Sequence, residues 1–436
     1  MLEKQPDKTA GVDTMIRFLL SKNLVVLLSQ AFVSGTNFFT AMIVGNACGA
    51  DGLGYYALGF SILVFANGFQ SALVSIPYTV FYLSEDPEKR PQRATSSMLT
   101  HVALVGVICL VIALAAFMLL ALGLNRESMI AFALLFAAPC FVTREFARRI
   151  CFANEEYLKA LRIDASTSLI QLAVLVLLAF YGYLTPALAL ACTGAGCLIS
   201  TVGFAIHKVR SAEFSSQRIS IDAKKDWQFG KWLLLEQLFT ITSSYSMPWL
   251  LAFYLNSVSV GIFAACFTIA GLANPFLQAI GSYSLPTFAR LVSDGDRTAL
   301  TNEIRLITSF TVAIMTVFFV VCLSFGETLL QLVFRNPEFA GHGLIVGVLA
   351  VRAVLGSFGL TAHYYLLAVE KPKISLYASV ASIGAMLVSG VVLIPNYELV
   401  GAAVAWAIGT FIESLIMLVG YFSARVHING LGQAHA

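Results

Sequence analysis

Arg352 lies inside a long apolar stretch of the sequence, where a charged side chain costs roughly 2.5–3.5 kcal/mol at the centre of a membrane helix. Gly356, Gly359 and His363 follow at helical spacing, so that one helix face offers a cation, a flat glycine surface and a titratable ring. The planar guanidinium suits the oxygens of a phosphate. We predict that Arg352 and His363 line a substrate cleft. The alternatives are an arginine paired with a buried glutamate and a satisfied interior histidine.

Arg144 and Arg148 stand one helical turn apart near the end of another apolar stretch. Two guanidinium groups at this spacing can receive an anionic head group, and we predict that they also belong to the substrate cleft. The alternative is that they are ordinary basic residues of the cytoplasmic membrane edge, or that they bind anionic lipid heads there.

Glu236 and Glu413 are the acidic residues within apolar stretches that could couple transport to an ion gradient. A carboxylate in a low-dielectric environment can carry a proton. Glu236 is followed by Thr240 and Ser243, whose hydroxyl groups could instead help it to ligate Na⁺. We predict ion coupling at these four residues, with pairing of Glu236 to Arg352 as the structural alternative.

Uncharged polar side chains form stripes at helical spacing on further apolar stretches. Such residues often join membrane helices through hydrogen bonds, and that is the alternative for each one. Stripes on several related helices are better explained by a shared water-accessible cavity. We therefore assign to the substrate cleft Gln30, Ser34, Asn37, Asn67, Gln70, Ser71, Asn274, Gln278 and Ser282.

The sequence lacks the motifs of the common enzyme classes. It contains no GxxxxGK[ST] phosphate loop and no HExxH metal motif, and the eight cysteines include no CxxC pair. We predict that the chain is not an enzyme and that it binds no metal or cofactor. An H⁺ or Na⁺ gradient drives its activity, and its cysteines serve in packing between helices.

These candidate residues must be positioned by membrane helices. The 436 residues are 58% hydrophobic and 12% charged, with a mean hydropathy of +0.82. Soluble domains carry about 25% charged residues, and the smaller supply here could not cover a soluble surface. The apolar stretches are continuous rather than alternating, which favours helices over a barrel. We predict about twelve spans, near 23–47, 53–82, 97–122, 128–150, 163–183, 187–207, 230–254, 259–288, 304–325, 342–368, 375–395 and 399–423.

The basic residues indicate the orientation of these spans. With the N-terminus in the cytoplasm, 24 of the 27 Lys and Arg residues fall on the cytoplasmic side. The opposite side holds only Arg126 and Arg335, and Arg352 lies within a span. The small surplus of +3 gives no indication of a nucleic-acid partner. We predict a multi-pass protein of the bacterial plasma (inner) membrane with both termini in the cytoplasm.

The two halves of the sequence resemble each other at an offset of 207 residues. This offset aligns Gln30 with Gln237, Gly54 with Gly261, and Asn67 with Asn274. An offset of 215 continues the alignment further on, for example from Gly194 to Gly409. Six spans per half make the repeat parallel. We predict two six-helix lobes, with boundaries at 1–210 and 230–425, a cytoplasmic linker at 211–229 and a tail at 426–436.

Three segments resemble the polysaccharide-type flippases of the multidrug/oligosaccharidyl-lipid/polysaccharide exporter superfamily. Residues 34–62 resemble the first helix, the Gly-rich turn and the opening of the second helix, and residues 255–276 resemble the same unit in the second half. Residues 284–300 resemble the Leu-Pro helix end of that superfamily. The resemblance implies a V-shaped pair of lobes with a cleft lined by the first, second, seventh and eighth helices.

The resemblance also implies an activity. Such flippases move a polyprenyl-pyrophosphate-linked oligosaccharide across the plasma membrane, driven by an ion gradient, for cell-surface polysaccharide synthesis. We expect this function for a monomer that contacts membrane lipids and polysaccharide polymerase or glycosyltransferase partners. A multidrug or small-metabolite cation antiporter of the same architecture is one alternative, and a non-transporting scaffold of envelope enzymes is another.

The predicted orientation can be tested with reporter fusions. Alkaline phosphatase inserted after Glu127 or after Asn336 should be active, because both loops lie outside the cytoplasm in this topology. A green fluorescent protein fused to the C-terminus should fluoresce. An inactive phosphatase at both loops would reverse the orientation.

Overall fold

The structure, a computed structural model, describes residues 22–83, 85–210 and 216–433, and all regular structure in these ranges is helical. This confirms the prediction of an all-α membrane protein. The first 21 residues, the last three and residues 211–215 of the predicted linker lie outside the described residues. We number the helices α1 (22–48), α2 (50–83), α3 (Arg90–Ala121), α4 (Asn125–Ala153), α5 (Tyr157–Phe180), α6 (Pro186–Arg210), α7 (Ser216–Tyr254), α8 (Ser257–Ser293), α9 (Arg297–Val333), α10 (Gly343–Ala368), α11 (372–397) and α12 (399–433).

These helices are long and apolar enough for a multi-pass membrane protein. Nine continuous helices of the described chain are long and apolar enough to cross a membrane, and two of them, 24–82 and 372–424, are each about twice the length of one crossing. The long helices bend where the backbone leaves the helical conformation, at Gly49 (φ 72°) and at Glu398 (φ 48°). Glycine adopts this left-handed conformation without a steric penalty, so Gly49 suits the turn from α1 to α2.

α7 differs from the predicted span because it begins at Ser216 rather than near residue 230. Its first turns carry the charged part of the predicted linker and pack on the first half of the chain. There the buried guanidinium of Arg93 on α3 pairs with Asp226 and lies 3.2 Å from Asp222. Arg218 forms a 2.5 Å ion pair with Glu85. Because these pairs give the charged side chains partners, residues 216–229 of the predicted linker fold as a helix against the first half.

The two halves cross closely where α2 meets α8, at Gly54 and Gly261. A Cβ atom on Gly54 would overlap the carbonyl oxygen of Ser257, and one on Gly261 would overlap the carbonyl oxygen of Ala50. Only glycine allows two backbones to approach so closely. The two glycines are the pair aligned by the offset of 207, so the repeat places them face to face.

Polar contacts fasten the same end of the molecule. The side chain of Asn46 donates to the carbonyl of Val333 at 2.9 Å and accepts from the backbone N–H of Arg335 at 2.6 Å. Glu338 accepts from the backbone N–H of Ala50 at 2.6 Å, which satisfies an open donor at the start of α2. We call the Gly54–Gly261 crossing together with Asn46 and Glu338 the junction. The opposite end, where α1 begins and α12 ends, is the terminal end.

We expect Gly54→Ala to destabilise the protein, because the methyl group can be accommodated only by separating α2 from α8. Overpacking of this kind costs about 1–3 kcal/mol. Thermal unfolding of the purified protein in detergent measures the change as a lower melting temperature. Gly106→Ala on α3, where no atom lies within 4 Å of the added Cβ, is the matched control and should unfold like the unsubstituted protein. Equal melting temperatures for the two variants would contradict the close crossing.

Candidate functional site

A cavity of about 190 Å³ lies between the two halves beside the junction. It is lined by side chains from α1, α2, α7 and α8, the four helices that the sequence resemblance placed around a cleft, and by Trp406 of α12. Its polar lining residues are uncharged and include Asn37, Ser244 and Thr268, with Tyr56 and Tyr245 among the aromatic residues. The lining contains no acidic or basic side chain among the described residues.

The lining of this central cavity is nearly symmetric between the two halves. The offset of 207 aligns Tyr56 with Phe263 and Phe60 with Phe267, and all four rings line the cavity. Further lining residues on both sides of the cavity are aligned by the same offset: Asn37 with Ser244, Ala41 with Pro248, and Ala57 with Ala264. The cavity therefore lies on the axis that relates the repeats. The aromatic residues, which the sequence analysis missed, could have been found by applying the offset to them.

Trp406 breaks this symmetry, since the second half alone contributes it. Its ring stacks on Phe267 with 5.0 Å between centroids and on Phe263 with 5.9 Å. The Cζ atom of Arg352 lies 3.6 Å from the Trp406 centroid, a close cation–π contact. The candidate arginine is thus one side chain away from the central cavity.

Arg352 has no carboxylate within salt-bridge distance among the described residues. Its Nε donates to the hydroxyl of Thr410 at 3.2 Å. Glu413, one turn along α12 from Thr410, accepts instead from the hydroxyl of Ser379 at 3.4 Å. The arginine is held in place by a neutral hydroxyl and an aromatic face, which leaves its charge without an ion-pair partner.

His363 lies three turns along α10 from Arg352, toward the terminal end. Its Nδ1 is 3.1 Å from the hydroxyl of Ser375, which in turn donates to the sulfur of Met417 at 3.7 Å. The structure therefore places His363 in a local contact between α10 and α11 rather than beside the guanidinium.

The predicted polar stripes fall into two groups, of which the first borders the space between the halves. Asn37 lines the central cavity, and Gln30 and Ser34 continue its stripe along α1 as half-buried residues. On α8 the three predicted residues, Asn274, Gln278 and Ser282, are exposed. The hydroxyl of Ser282 donates only to the backbone of its own helix, at Gln278.

The second group, on α2, faces the interior of the first half. Gln70 is fully buried, lies 3.3 Å from His101 of α3 through its Nε2, and accepts from the hydroxyl of Ser75 at 2.9 Å. The helix is π-helical over Ser71–Ser75, and Ser71 is buried in it. Asn67 is half-buried. Gln70 therefore joins α2 to α3, and none of the three predicted residues lines the central cavity.

Arg144 and Arg148 lie in a buried ion network within the first half. Arg144 pairs with Glu145 and with Asp164 of α5, and Arg148 lies 3.1 Å from Asp164 and 3.3 Å from Glu145. Asp164 is fully buried and also accepts from the hydroxyl of Ser29 on α1. The charges of the two arginines and the two carboxylates balance. Because the bonded side chains come from α1, α4 and α5, the network joins these three helices.

Glu236 is exposed on α7, and no ion pair of its carboxylate is described. Thr240, also exposed, donates to the backbone carbonyl of Glu236 at 3.0 Å, and Ser243 is half-buried. Within the described chain, no group of three or more His, Cys, Asp or Glu side chains could hold a metal ion. Ion coupling at these residues and at Glu413 stays a prediction.

Two comparisons of the sequence with known proteins give matches, each over just under half of the chain. Residues 79–292 match the model of a family described as polysaccharide biosynthesis protein. The probable low-salt glycan biosynthesis flippase Agl15 of Haloferax volcanii is 24% identical over 208 residues. That match covers 48% of this chain and 43% of the relative, so the chain is matched to less than half of the relative's length.

Solved structures share the fold at low identity. An inward-facing multidrug resistance MATE family transporter of the MOP superfamily is 16% identical with a TM-score of 0.72, over 92% of this chain and 96% of that one. A point mutant of the Vibrio cholerae MATE transporter VcmN is 16% identical with a TM-score of 0.64, over 94% and 97%. A MOP superfamily transporter of Pyrococcus furiosus is 14% identical with a TM-score of 0.63, over 94% and 95%. These likenesses show the fold alone. The resemblance to the polysaccharide-type flippases is confirmed by the two sequence matches.

We expect Asp164→Asn to destabilise the protein strongly, because it leaves the buried Arg144 and the partly buried Arg148 with Glu145 as their one carboxylate in the network. Removing one partner from a buried ion pair costs about 3–5 kcal/mol. Glu236→Gln is the matched control, since it neutralises an exposed carboxylate and should leave unfolding unchanged. The melting temperatures of the purified variants provide the comparison. Equal stability of Asp164→Asn and the unsubstituted protein would contradict the structural role of the network.

Proposed function

We propose that this chain, which resembles the polysaccharide-type flippases in sequence and the MOP superfamily transporters in fold, is a flippase and not an enzyme. Its substrate is a polyprenyl-pyrophosphate-linked oligosaccharide destined for cell-surface polysaccharide. It crosses the plasma membrane by alternating access, driven by an H⁺ or Na⁺ gradient. The protein works as a monomer beside the polymerase or glycosyltransferases that use or supply this substrate.

The observation that carries the proposal is the chemistry of the central cavity. Aromatic faces and neutral hydroxyl and amide groups suit sugar rings, which present both apolar C–H faces and hydroxyl groups. Beside this neutral lining, Arg352 holds a positive charge that no described carboxylate neutralises. In a sugar joined to a pyrophosphate, the sugar ring suits the neutral aromatic lining and the pyrophosphate suits the charge of Arg352.

The contacts between the halves support alternating access. The junction fastens one end of the cleft, while the exposed polar face of α8 lies toward the other end. The excess of basic residues assigns the terminal end to the cytoplasm. In this orientation the junction lies on the opposite side of the membrane from the leaflet on which a lipid-linked oligosaccharide is assembled, and it separates when the substrate leaves.

Glu236 and Glu413 are the proposed ion-coupling groups, for different reasons. Glu236 is exposed on a helix that lines the cleft, where it can exchange a proton or a cation with the cytoplasm. Glu413 lies one turn along α12 from Thr410, the hydroxyl partner of Arg352, and forms no ion pair with the guanidinium among the described residues. Protonation of Glu413 would remove its negative charge, so that Arg352 would attract an anion more strongly.

A multidrug or small-metabolite cation antiporter is the second candidate, and the fold shared with multidrug transporters supports it. Aromatic faces attract a cation, but a carboxylate pairs with it more strongly when the site is dry. The described lining of the central cavity contains no carboxylate. The third candidate, a scaffold without transport, predicts no movement of any substrate.

The test is a flipping assay in proteoliposomes that contain the full-length protein. The probe is a polyprenyl-pyrophosphate-linked N-acetylglucosamine carrying a dithionite-sensitive fluorophore, and ethidium serves as the cationic probe. We expect gradient-dependent flipping of the lipid-linked sugar and no transport of ethidium. We expect Arg352→Gln to lower the flipping rate at least tenfold, which corresponds to losing one charge-assisted hydrogen bond of about 1.5–3 kcal/mol.

Lys373→Gln is the charge control, because Lys373 is exposed in the first turn of α11. It should flip like the unsubstituted protein. Transport of ethidium without flipping would favour the antiporter, and transport of neither probe would favour the scaffold. Either result, or full flipping by both Arg352→Gln and Glu236→Gln, overturns the proposal.

A further inference from the structure

Each half of the chain contains a groove between its third and sixth helices, on the side away from the central cavity. In the second half, two adjoining cavities of about 420 and 310 Å³ lie between α9, α10 and α12 and share Thr301, Ile304 and Tyr421. We call them together the α9 groove. In the first half, a cavity of about 650 Å³ lies between α3, α4 and α6, and we call it the α3 groove.

The two grooves occupy the same position in the repeat. Seven residues of α3 that line the first groove align at the offset of 207 with seven residues of α9 that line the second, from Arg90 with Arg297 to Val102 with Ser309. On the fourth helix of each half, the offset of 215 likewise aligns lining residues, from Thr143 with Phe358 to Ile150 with Tyr365. The groove is therefore a feature of the repeated unit, and residue differences between its two copies are informative.

The α9 groove differs from the α3 groove in charge. Arg305 stands where the α3 groove has Met98, and Thr301 stands where it has Ala94. Arg297 and Arg305 are both exposed, and no carboxylate lies within salt-bridge distance of either in the described chain. The two arginines lie two turns apart on one face of α9, separated by roughly 12 Å along the helix axis.

Beyond the two arginines, toward the middle of the helices, large apolar side chains surround the α9 groove. Leu306, Phe310 and Phe422 next to the groove are 64%, 56% and 57% exposed, which is typical of side chains in contact with lipid. Phe358 of α10 lines the groove at the same level. The groove thus combines cationic groups at the membrane edge with an apolar slot that leads into the bilayer.

We propose that the α9 groove binds an anionic phospholipid of the surrounding bilayer. Its phosphate lies between Arg297 and Arg305, and one acyl chain extends along α10 past Phe358. A phospholipid satisfies both the charge and the apolar slot, whereas free phosphate would use only the arginines. The α3 groove, with one arginine and a methionine in place of the second, takes an acyl chain without selecting an anionic head group.

The test measures lipid bound to the purified full-length protein by native mass spectrometry. The probes are dioleoyl phosphatidylglycerol and dioleoyl phosphatidylcholine, which have the same acyl chains and differ in head-group charge. We expect preferential retention of phosphatidylglycerol by the unsubstituted protein. Arg297→Gln and Arg305→Met should each lower its affinity about five-fold, since a basic residue at the membrane surface contributes about that much.

The controls separate a groove from a diffuse positive surface. Arg305→Met introduces the residue type that the α3 groove has at the aligned position, Met98, so we expect this variant to fold. Arg290→Gln removes an exposed charge near the same end of the second half but outside both cavities, and it should bind phosphatidylglycerol normally. Thr301→Trp obstructs the groove where the two cavities adjoin while keeping the arginines, and it should reduce phosphatidylglycerol binding.

Several results would overturn the proposal. Equal retention of the two lipids, or unchanged affinity in the Arg297→Gln/Arg305→Met double variant, would show that the arginines do not select the head group. Full binding by Thr301→Trp, or an equal loss in Arg290→Gln, would assign the effect to surface charge. Displacement of phosphatidylglycerol by millimolar inorganic phosphate would indicate a free-anion site. Melting temperatures verify that each variant is folded, and because no transport is measured, the result is independent of the proposed function.

Discussion

The contact between Gly54 and Gly261 is the constraint on which the arrangement of the two halves depends. It brings together two positions that the internal repeat makes equivalent, so the axis relating the halves passes close to this crossing. The central cavity lies next to this crossing and is lined by residues of both halves that the offset of 207 aligns. Larger side chains at the crossing would separate α2 from α8, and the polar contacts of Asn46 and Glu338 would lose their partners.

Function is proposed to arise where the two halves depart from this symmetry. Trp406 lines the cavity from the second half only, and it carries the guanidinium of Arg352 on its ring. A symmetric neutral cavity could hold sugar rings in several orientations, whereas a single cation on one side favours one orientation of an anionic substrate. The same logic applies to the outer grooves, where Arg305 replaces the methionine of the first half.

Much of the fold could be predicted from the sequence, because the membrane requires long apolar helices and the basic residues distinguish the two sides. The repeat offset alone aligns Gly54 with Gly261, the two glycines that meet in the structure. Helical periodicity shows which residues share a face, however, and does not show which helix that face meets. Gln70 and Asn67 belong to a predicted stripe, yet Gln70 bonds to His101 inside the first half. Arg144 and Arg148 likewise have carboxylate partners, and one of these, Asp164, comes from a different helix.

Alternating access requires the junction to open, and a reversible cross-link there tests this requirement directly. Asp51 and Ser257 contact each other through their side chains across the junction, so Asp51→Cys/Ser257→Cys in a background without the native cysteines can form a disulfide. Flipping of a fluorescent polyprenyl-pyrophosphate-linked sugar is then measured in proteoliposomes before and after reduction. The account predicts that flipping stops in the oxidised protein and returns on reduction. Undiminished flipping by the fully cross-linked protein would contradict it.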